Sequence, residues 1–112
     1  MWYYRASLDR VIDGDTAILM VDLGFECYQR VALRFKDVWA PELEDPGGLI
    51  CKQQLEHLLD GHKLIIRSEK PDGQLRRSFA RYVADVYRET DPGDVSVNQL
   101  MRNFINNGED NW

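Results

Sequence analysis

Cysteine is scarce in this 112-residue chain, and the two that occur, Cys27 and Cys51, exclude more than they suggest. Their spacing matches no metal-ligand motif, and one pair is too little for a disulfide framework, so both are expected as free thiols in a reducing compartment. No run approaches the ~20 apolar residues of a membrane span. The opening Met1-Trp2-Tyr3-Tyr4-Arg5 lacks the apolar stretch of a secretory signal, and a cytoplasmic protein away from membranes is the expectation. Glycine-rich loops of the two common phosphate-cradling types do not occur. Linkers, repeats and low-complexity segments are missing as well, which predicts a single domain over 1–112. Positive charge is in deficit, with a net of −5, an awkward sign for binding a polyanion, which is mostly driven by positive charge.

What is present is enough for a folded core. Hydrophobic residues make up 44% of the chain, and a domain of this size buries roughly two-thirds of its unfolded surface. The cations are also clustered. Lys63, Arg67, Lys70, Arg76, Arg77, Arg81 and Arg88 stand against only Glu69, Asp72 and Asp85 in the same stretch. A local basic face on an acidic body still steers a polyanion within about one Debye length; as a plain solvated face the same cluster would need no ligand.

Period-two alternation predicts three strands first. Tyr4, Ala6 and Leu8 share one face. Asp13-Gly14-Asp15 signals a turn, and Thr16 to Leu23 returns. Val31, Leu33 and Phe35 alternate with Arg30, Ala32, Arg34 and Lys36. Val38 breaks that pattern and Pro41 cannot donate a ladder hydrogen bond, so the third strand is expected to end or bulge near 37–39 and to swing Glu42 off the sheet. Cys51, Leu55, Leu58 and Leu59 then fall at helical spacing, with Gly61 as the C-terminal cap. Lys63 to Ser68 and Ser78 to Arg88 read as two more strands around a turn at Pro71-Asp72-Gly73. Ser96 and Gln99 suggest a capping box before the amphipathic run Val97, Leu100, Met101, Phe104, and 106–112 reads as a frayed tail. Five strands interrupted by a helix after the third predict a small OB barrel with a C-terminal helix.

Four groups carry the chemistry. Carboxylate oxygens, as at Asp13 and Asp15, suit a hard divalent cation. A guanidinium fork, as on Arg34 and Arg81, matches phosphate oxygens two at a time. A glutamate, Glu42, can take a proton from water. Each has a plainer reading: an acidic hairpin turn, two exposed strand arginines, a loop glutamate. His57 and His62 flank a helix end with no partner acid or nucleophile at a motif spacing, and read as ordinary residues.

In order along the chain, Arg10-Val11-Ile12-Asp13-Gly14-Asp15-Thr16, Arg34, Ala40-Pro41-Glu42, Phe79-Ala80-Arg81-Tyr82-Val83-Ala84-Asp85-Val86-Tyr87 and Val97-Asn98 resemble the staphylococcal nuclease family, the thermonuclease-like domain. The match runs from about Ser7 to Asn107. Tyr4-Arg5-Ala6 and Asp22-Leu23-Gly24-Phe25 are similar to phage and prophage members, which suggests a phage-encoded protein. The resemblance implies an OB barrel and a Ca²⁺-dependent nuclease acting on DNA and RNA, leaving 3′-phosphate ends. It implies Asp15 as a direct metal ligand with Asp13 behind it, the Ala40 backbone carbonyl as a further ligand, Glu42 as general base, and Arg34 and Arg81 on the developing phosphate charge. Phe79 falls where the family has a tyrosine near the bound nucleotide, and Arg77 and Trp39 join it as expected nucleic-acid contacts.

The chain departs from the family at Trp39, which stands where a second metal-binding aspartate is usual. An indole only donates and cannot ligate a cation. Fewer charged ligands weaken a Ca²⁺ site, which brings Mg²⁺ or Mn²⁺ into consideration. Trp39 could instead stack a base or close the barrel end. Asp37 is a conceivable substitute ligand, two residues away on the strand. A second C-terminal helix of the family's best-known members is also missing, which leaves room for a homodimer or a protein partner. Two functions therefore compete: a metal-dependent nuclease acting on single-stranded DNA or RNA, and a nuclease-like barrel reduced to binding.

Overall fold

The computed structural model describes residues 2–68, 82–91, 93, 95–108 and 112. Strands β1 (Trp2–Asp13), β2 (Thr16–Asp22), β3 (Tyr28–Phe35), β4 (Leu64–Ser68) and β5 (Tyr82–Arg88) close into a barrel in the order β1-β2-β3-β5-β4. Helix α1 (Gly48–Leu59) follows β3, and α2 (Val97–Gly108) follows β5. This is the five-stranded α+β barrel of OB type expected from the alternation. The β3–β5 contact is parallel and short, running from Leu33↔Tyr82 to Phe35↔Ala84, while every other pairing is antiparallel.

The core follows from the two-residue period. Leu19 and Val21 of β2, Leu33 and Phe35 of β3, Leu64 of β4 and Val86 of β5 point inward and are buried, and Leu55 and Leu59 of α1 with Met101 of α2 close the ends. β1 stays in phase only by slipping twice, between Leu8 and Arg10 and again between Val11 and Asp13. The first irregularity keeps Val11 in the core after Leu8; the second brings Asp13 opposite Thr16 at the hairpin end. Among the described residues no helix is long and apolar enough to cross a membrane.

Two sequence expectations need correction at α2. The helix does not fray at Asn106 but runs on to Gly108, because Met101 and Ile105 carry its buried face through the last turn. Trp112 then packs against the core beside Gly108 and Gly47. The capping box forms by half: Ser96 Oγ accepts from Gln99 N at 3.0 Å, but the Gln99 side chain bonds Asn103 and Arg102 instead. The expected turn at 71–73 and the first residues of the Ser78–Arg88 strand lie outside the described residues.

Asn98 ties α2 to the sheet. β3 pairs with β5 only as far as Ala84. Beyond it, the Val86 N–H donates to Asn98 Oδ1 at 2.9 Å, and Asn98 Nδ2 donates to the carbonyls of Lys36 at 3.0 Å and Ala84 at 3.1 Å. The side chain is fully buried and satisfies backbone groups where the parallel ladder stops. Asn98→Ala would orphan the Val86 N–H, at roughly 1–3 kcal/mol, and take one of two donors from each of the Lys36 and Ala84 carbonyls, which keep Arg102 and the Lys36 N–H. The expected loss is about 2–4 kcal/mol, read as a melting temperature lower by about 10 °C or more; a thermal melt of the variant checks it.

Candidate functional site

The site is built around a hairpin turn with no room for a side chain. Gly14, between β1 and β2, is buried, and an added Cβ would lie 2.6 Å from the Cβ atoms of both Ala40 and Cys51. Glycine therefore lets the turn press against the segment after β3 and against α1 together. The neighbouring carboxylates are organised by that contact. Asp13 Oδ1 accepts from the Asp15 N–H at 3.1 Å, an Asx-type turn. Asp15 Oδ1 accepts from the Thr16 hydroxyl at 2.9 Å, and Asp15 Oδ2 accepts from the Ala40 N–H at 3.3 Å across 25 residues of sequence.

Arg34 reaches the same corner from β3, where it stands opposite Thr16. Its Nη2 lies 4.0 Å from Asp15 Oδ2, the outer limit of an ion pair, and donates to the Val38 carbonyl at 3.1 Å. The guanidinium carbon sits 4.2 Å from the centre of the Trp39 ring, a cation–π stack. The chain reverses for this at Asp37, which holds φ 59. Trp39 thus keeps 74% of its surface exposed while one face covers Arg34.

Of the residues expected from the sequence, Asp13, Asp15, Arg34, Trp39 and Ala40 come together. Glu42 lies in the turn leading to α1, exposed, where its backbone carbonyl accepts from the Asp45 N–H at 3.0 Å. Among the described residues its carboxylate makes no hydrogen bond or ion pair. Ala40 presents its N–H to Asp15 at this corner. Asp37 is exposed and lines a hollow with Trp39, Arg102, Ile105 and Asn106. Arg77, Phe79 and Arg81 lie outside the described residues. Sequence reading missed Cys51 and the Arg34–Trp39 stack. The break at Asp37 was legible from Val38 and Pro41, which placed the end of the third strand near 37–39; that the chain then brings Trp39 back over Arg34 was not.

Electrostatically the corner is poised against its own charge. Burial raises the Asp15 carboxyl above its ordinary value, and the neighbouring Asp13 adds to the rise through its hydrogen bonding and its charge. Cys51 is pushed up to about 11 by burial first and by the Asp15 charge second. No group of three or more His, Cys, Asp or Glu among the described residues converges to hold a metal ion. Two carboxylates side by side do match a cation that keeps most of its water, as Mg²⁺ does, but not an all-protein Ca²⁺ cage. Any such ion would relieve the cost of charging Asp15.

No model of a known protein family matches the chain, and a search of curated proteins finds no match either.

Two outcomes follow from the burial of this corner. Since the folded-state pKa of Asp15 is raised, its ionisation opposes folding, and that stability is lost as pH rises through the folded value. Without divalent cations, Asp15→Asn is expected to melt above the parent at pH 7, with the gap closing below pH 3.8, the ordinary carboxyl value. Paired melts across pH 3.5–7 (roughly the carboxylate range) measure it. Thiol labelling gives the second outcome. Native protein at neutral pH should titrate one fast cysteine, the exposed Cys27, while buried Cys51 reacts only after unfolding.

Proposed function

We propose that this chain hydrolyses phosphodiester bonds in single-stranded DNA or RNA, in the manner of the staphylococcal nuclease family it resembles. One observation carries the reading: Asp15 of the β1–β2 turn and Arg34 of β3, both largely buried, face one another at 4.0 Å. A carboxylate held at a cost and a guanidinium beside it form a bipolar mouth for a metal-bridged phosphate. Asp15, supported by Asp13, would hold a divalent cation. When bound, the cation would draw charge from the phosphoryl oxygens and make its water more acidic.

The chain's own residues divide the remaining work. Arg34 spends one N–H on Val38, and its other donors meet the charge that grows on the phosphate oxygens. Trp39 fixes the guanidinium plane and shields it from water on one face, which strengthens its field. Glu42 stands two residues beyond Ala40, about 6–7 Å along an extended chain, and takes the proton of the attacking water. Arg81 joins the phosphate clamp on the strength of the sequence resemblance.

The test is a cleavage assay with labelled single-stranded DNA and RNA in Mg²⁺, Mn²⁺, Ca²⁺ or chelator. Chelator-sensitive shortening is expected, with Glu42→Gln, Arg34→Ala and Arg81→Ala each slower by roughly 10²–10³-fold and still cooperatively folded. Intact substrate in every metal would remove the hydrolase reading. A second reading, a binding module, is favoured by the tethering of Arg34 to Val38 and by the absence of Glu42 from the hydrogen-bonded corner. It predicts Arg34-dependent oligonucleotide binding in chelator with no cleavage in any metal.

A further inference from the structure

The turn between β2 and β3 holds a side chain that neither the core nor the Asp15–Arg34 corner uses. Gly24, Phe25 and Glu26 stand in succession at φ 87, 53 and 61, the left-handed region that side chains other than glycine rarely adopt. The turn is closed firmly all the same. The Leu23 N–H donates to the Cys27 carbonyl at 2.8 Å, the Cys27 N–H to the Gly24 carbonyl at 2.9 Å, and the Gly24 N–H to Asp22 Oδ1 at 2.8 Å. The result is a phenylalanine ring 101% exposed, the most exposed large apolar side chain among the described residues. Glycine or asparagine would make the same turn at less cost, so position 25 carries a ring against its local preference.

Beside this tip, the outer wall of the barrel has a hollow of about 250 Å³ between β1, β2 and the start of β4. Ala6, Met20 and Leu64 give it an apolar lining, and Arg5 and Lys63, both exposed, are its cations. Its two acids are engaged: Asp22 accepts from the Gly24 N–H, and Glu89 faces Arg5 at 3.9 Å. Among the described residues, neither the Lys63 ammonium nor the Glu26 carboxylate takes part in an ion pair.

We propose that the tip and the hollow are the two halves of a dimer contact, in which the Phe25 ring of each copy enters the Ala6–Met20–Leu64 hollow of the other. Three features select a second copy of this chain as the occupant. An apolar cavity of ~150 Å³ already takes a benzene ring, so the hollow has room for a phenyl group. Glu26, next to the ring, brings a carboxylate to a rim whose spare charge is the Lys63 ammonium. The tip and the hollow are also neighbours on one surface, because Asp22 both lines the hollow and opens the turn. A two-fold axis beside Asp22 therefore makes both contacts at once, and the assembly closes at two copies. The contact is small, which places the pair among weak, reversible associations. A lipid surface fits less well, since the tip carries Asp22 and Glu26 and no cation to meet anionic headgroups. The inference goes beyond the phosphodiester reading and needs nothing from the Asp15–Arg34 corner.

The experiment is sedimentation equilibrium of the whole chain from roughly 1 µM to 1 mM, the range of weak association, beside flotation with phosphatidylcholine vesicles. The parent should pass from monomer to dimer across that range and stop there. Phe25→Ser should weaken dimerisation about 30-fold, the scale of one lost anchor, and leave the melting temperature at or above the parental value, because the ring touches no core. Glu26→Lys and Lys63→Glu should each weaken it several-fold. Combining the two reverses the ion pair, and dimerisation should return to the parental level. Leu49→Ser, an exposed apolar residue on α1 (56%), should dimerise as the parent does. A parent that stays monomeric to ~1 mM, or a dimer indifferent to Phe25→Ser, would overturn the proposal. A double variant no tighter than the single ones would overturn this hollow as the socket. Phe25-dependent flotation of an otherwise monomeric protein would give the tip to a lipid surface and overturn the dimer.

Discussion

Three parts of the chain meet at Gly14: the β1–β2 turn, the segment after β3 and the first turns of α1. The hydrogen atom at its α-carbon fills the only space between Ala40 and Cys51, since a Cβ would stand 2.6 Å from each. Everything at the candidate site follows from that approach. It brings the Ala40 N–H to Asp15, sets Cys51 beneath the carboxylate, and places the return of the chain so that Trp39 lies over Arg34. A methyl group at position 14 would separate the three elements by more than packed interiors absorb without strain. The barrel would keep its other contacts and lose the corner.

The same approach sets the electrostatics. A carboxylate with 14% of its side chain exposed and a second one behind it is a poor way to stabilise a fold. The Thr16 hydroxyl and the Ala40 N–H lower the cost of charging Asp15 without cancelling it. Arg34 sits too far for a tight ion pair, held back by its bond to Val38 and by the indole. The gap between the two charges is therefore maintained by a hydrogen bond and by ring packing. Locally unfavourable arrangements of this type occur where a ligand supplies the missing charge.

The order of strands and helices was readable because their buried faces repeat at two or 3.6 residues, and those periods hold in β2, β3, α1 and α2. Readability fails where contacts cross elements. Asp9 interrupts the phase of β1, and only pairing with β2 shows that Val11 returns to the core. Asn106 to Gly108 looked like a polar tail because the letters do not show that Ile105 still has a core to face. At the site, the Asp13–Asp15 turn is local and was legible as such. The Asp15–Ala40 contact spans 25 residues, and only the family resemblance brought those positions into one group before the fold did. Cys51 had no such signal, since a buried helix cysteine packs like any small apolar residue.

Trp39 is where the chain's own chemistry departs most from that resemblance. A carboxylate there would face Arg34 as a charge; the indole faces it as a polarisable plane at 4.2 Å. The exchange removes negative charge from the corner and adds a broad apolar face at its rim. Under the proposed function metal affinity would fall by the loss of a ligand, while attraction for a phosphate would rise, since one fewer anion opposes it. Arg34 changes character too. No longer neutralised from that side, it keeps its charge, and the ring holds its plane. Under the proposed function such a corner would depend more on the nucleic acid to complete a cation site, because phosphate oxygens would supply what the indole does not offer.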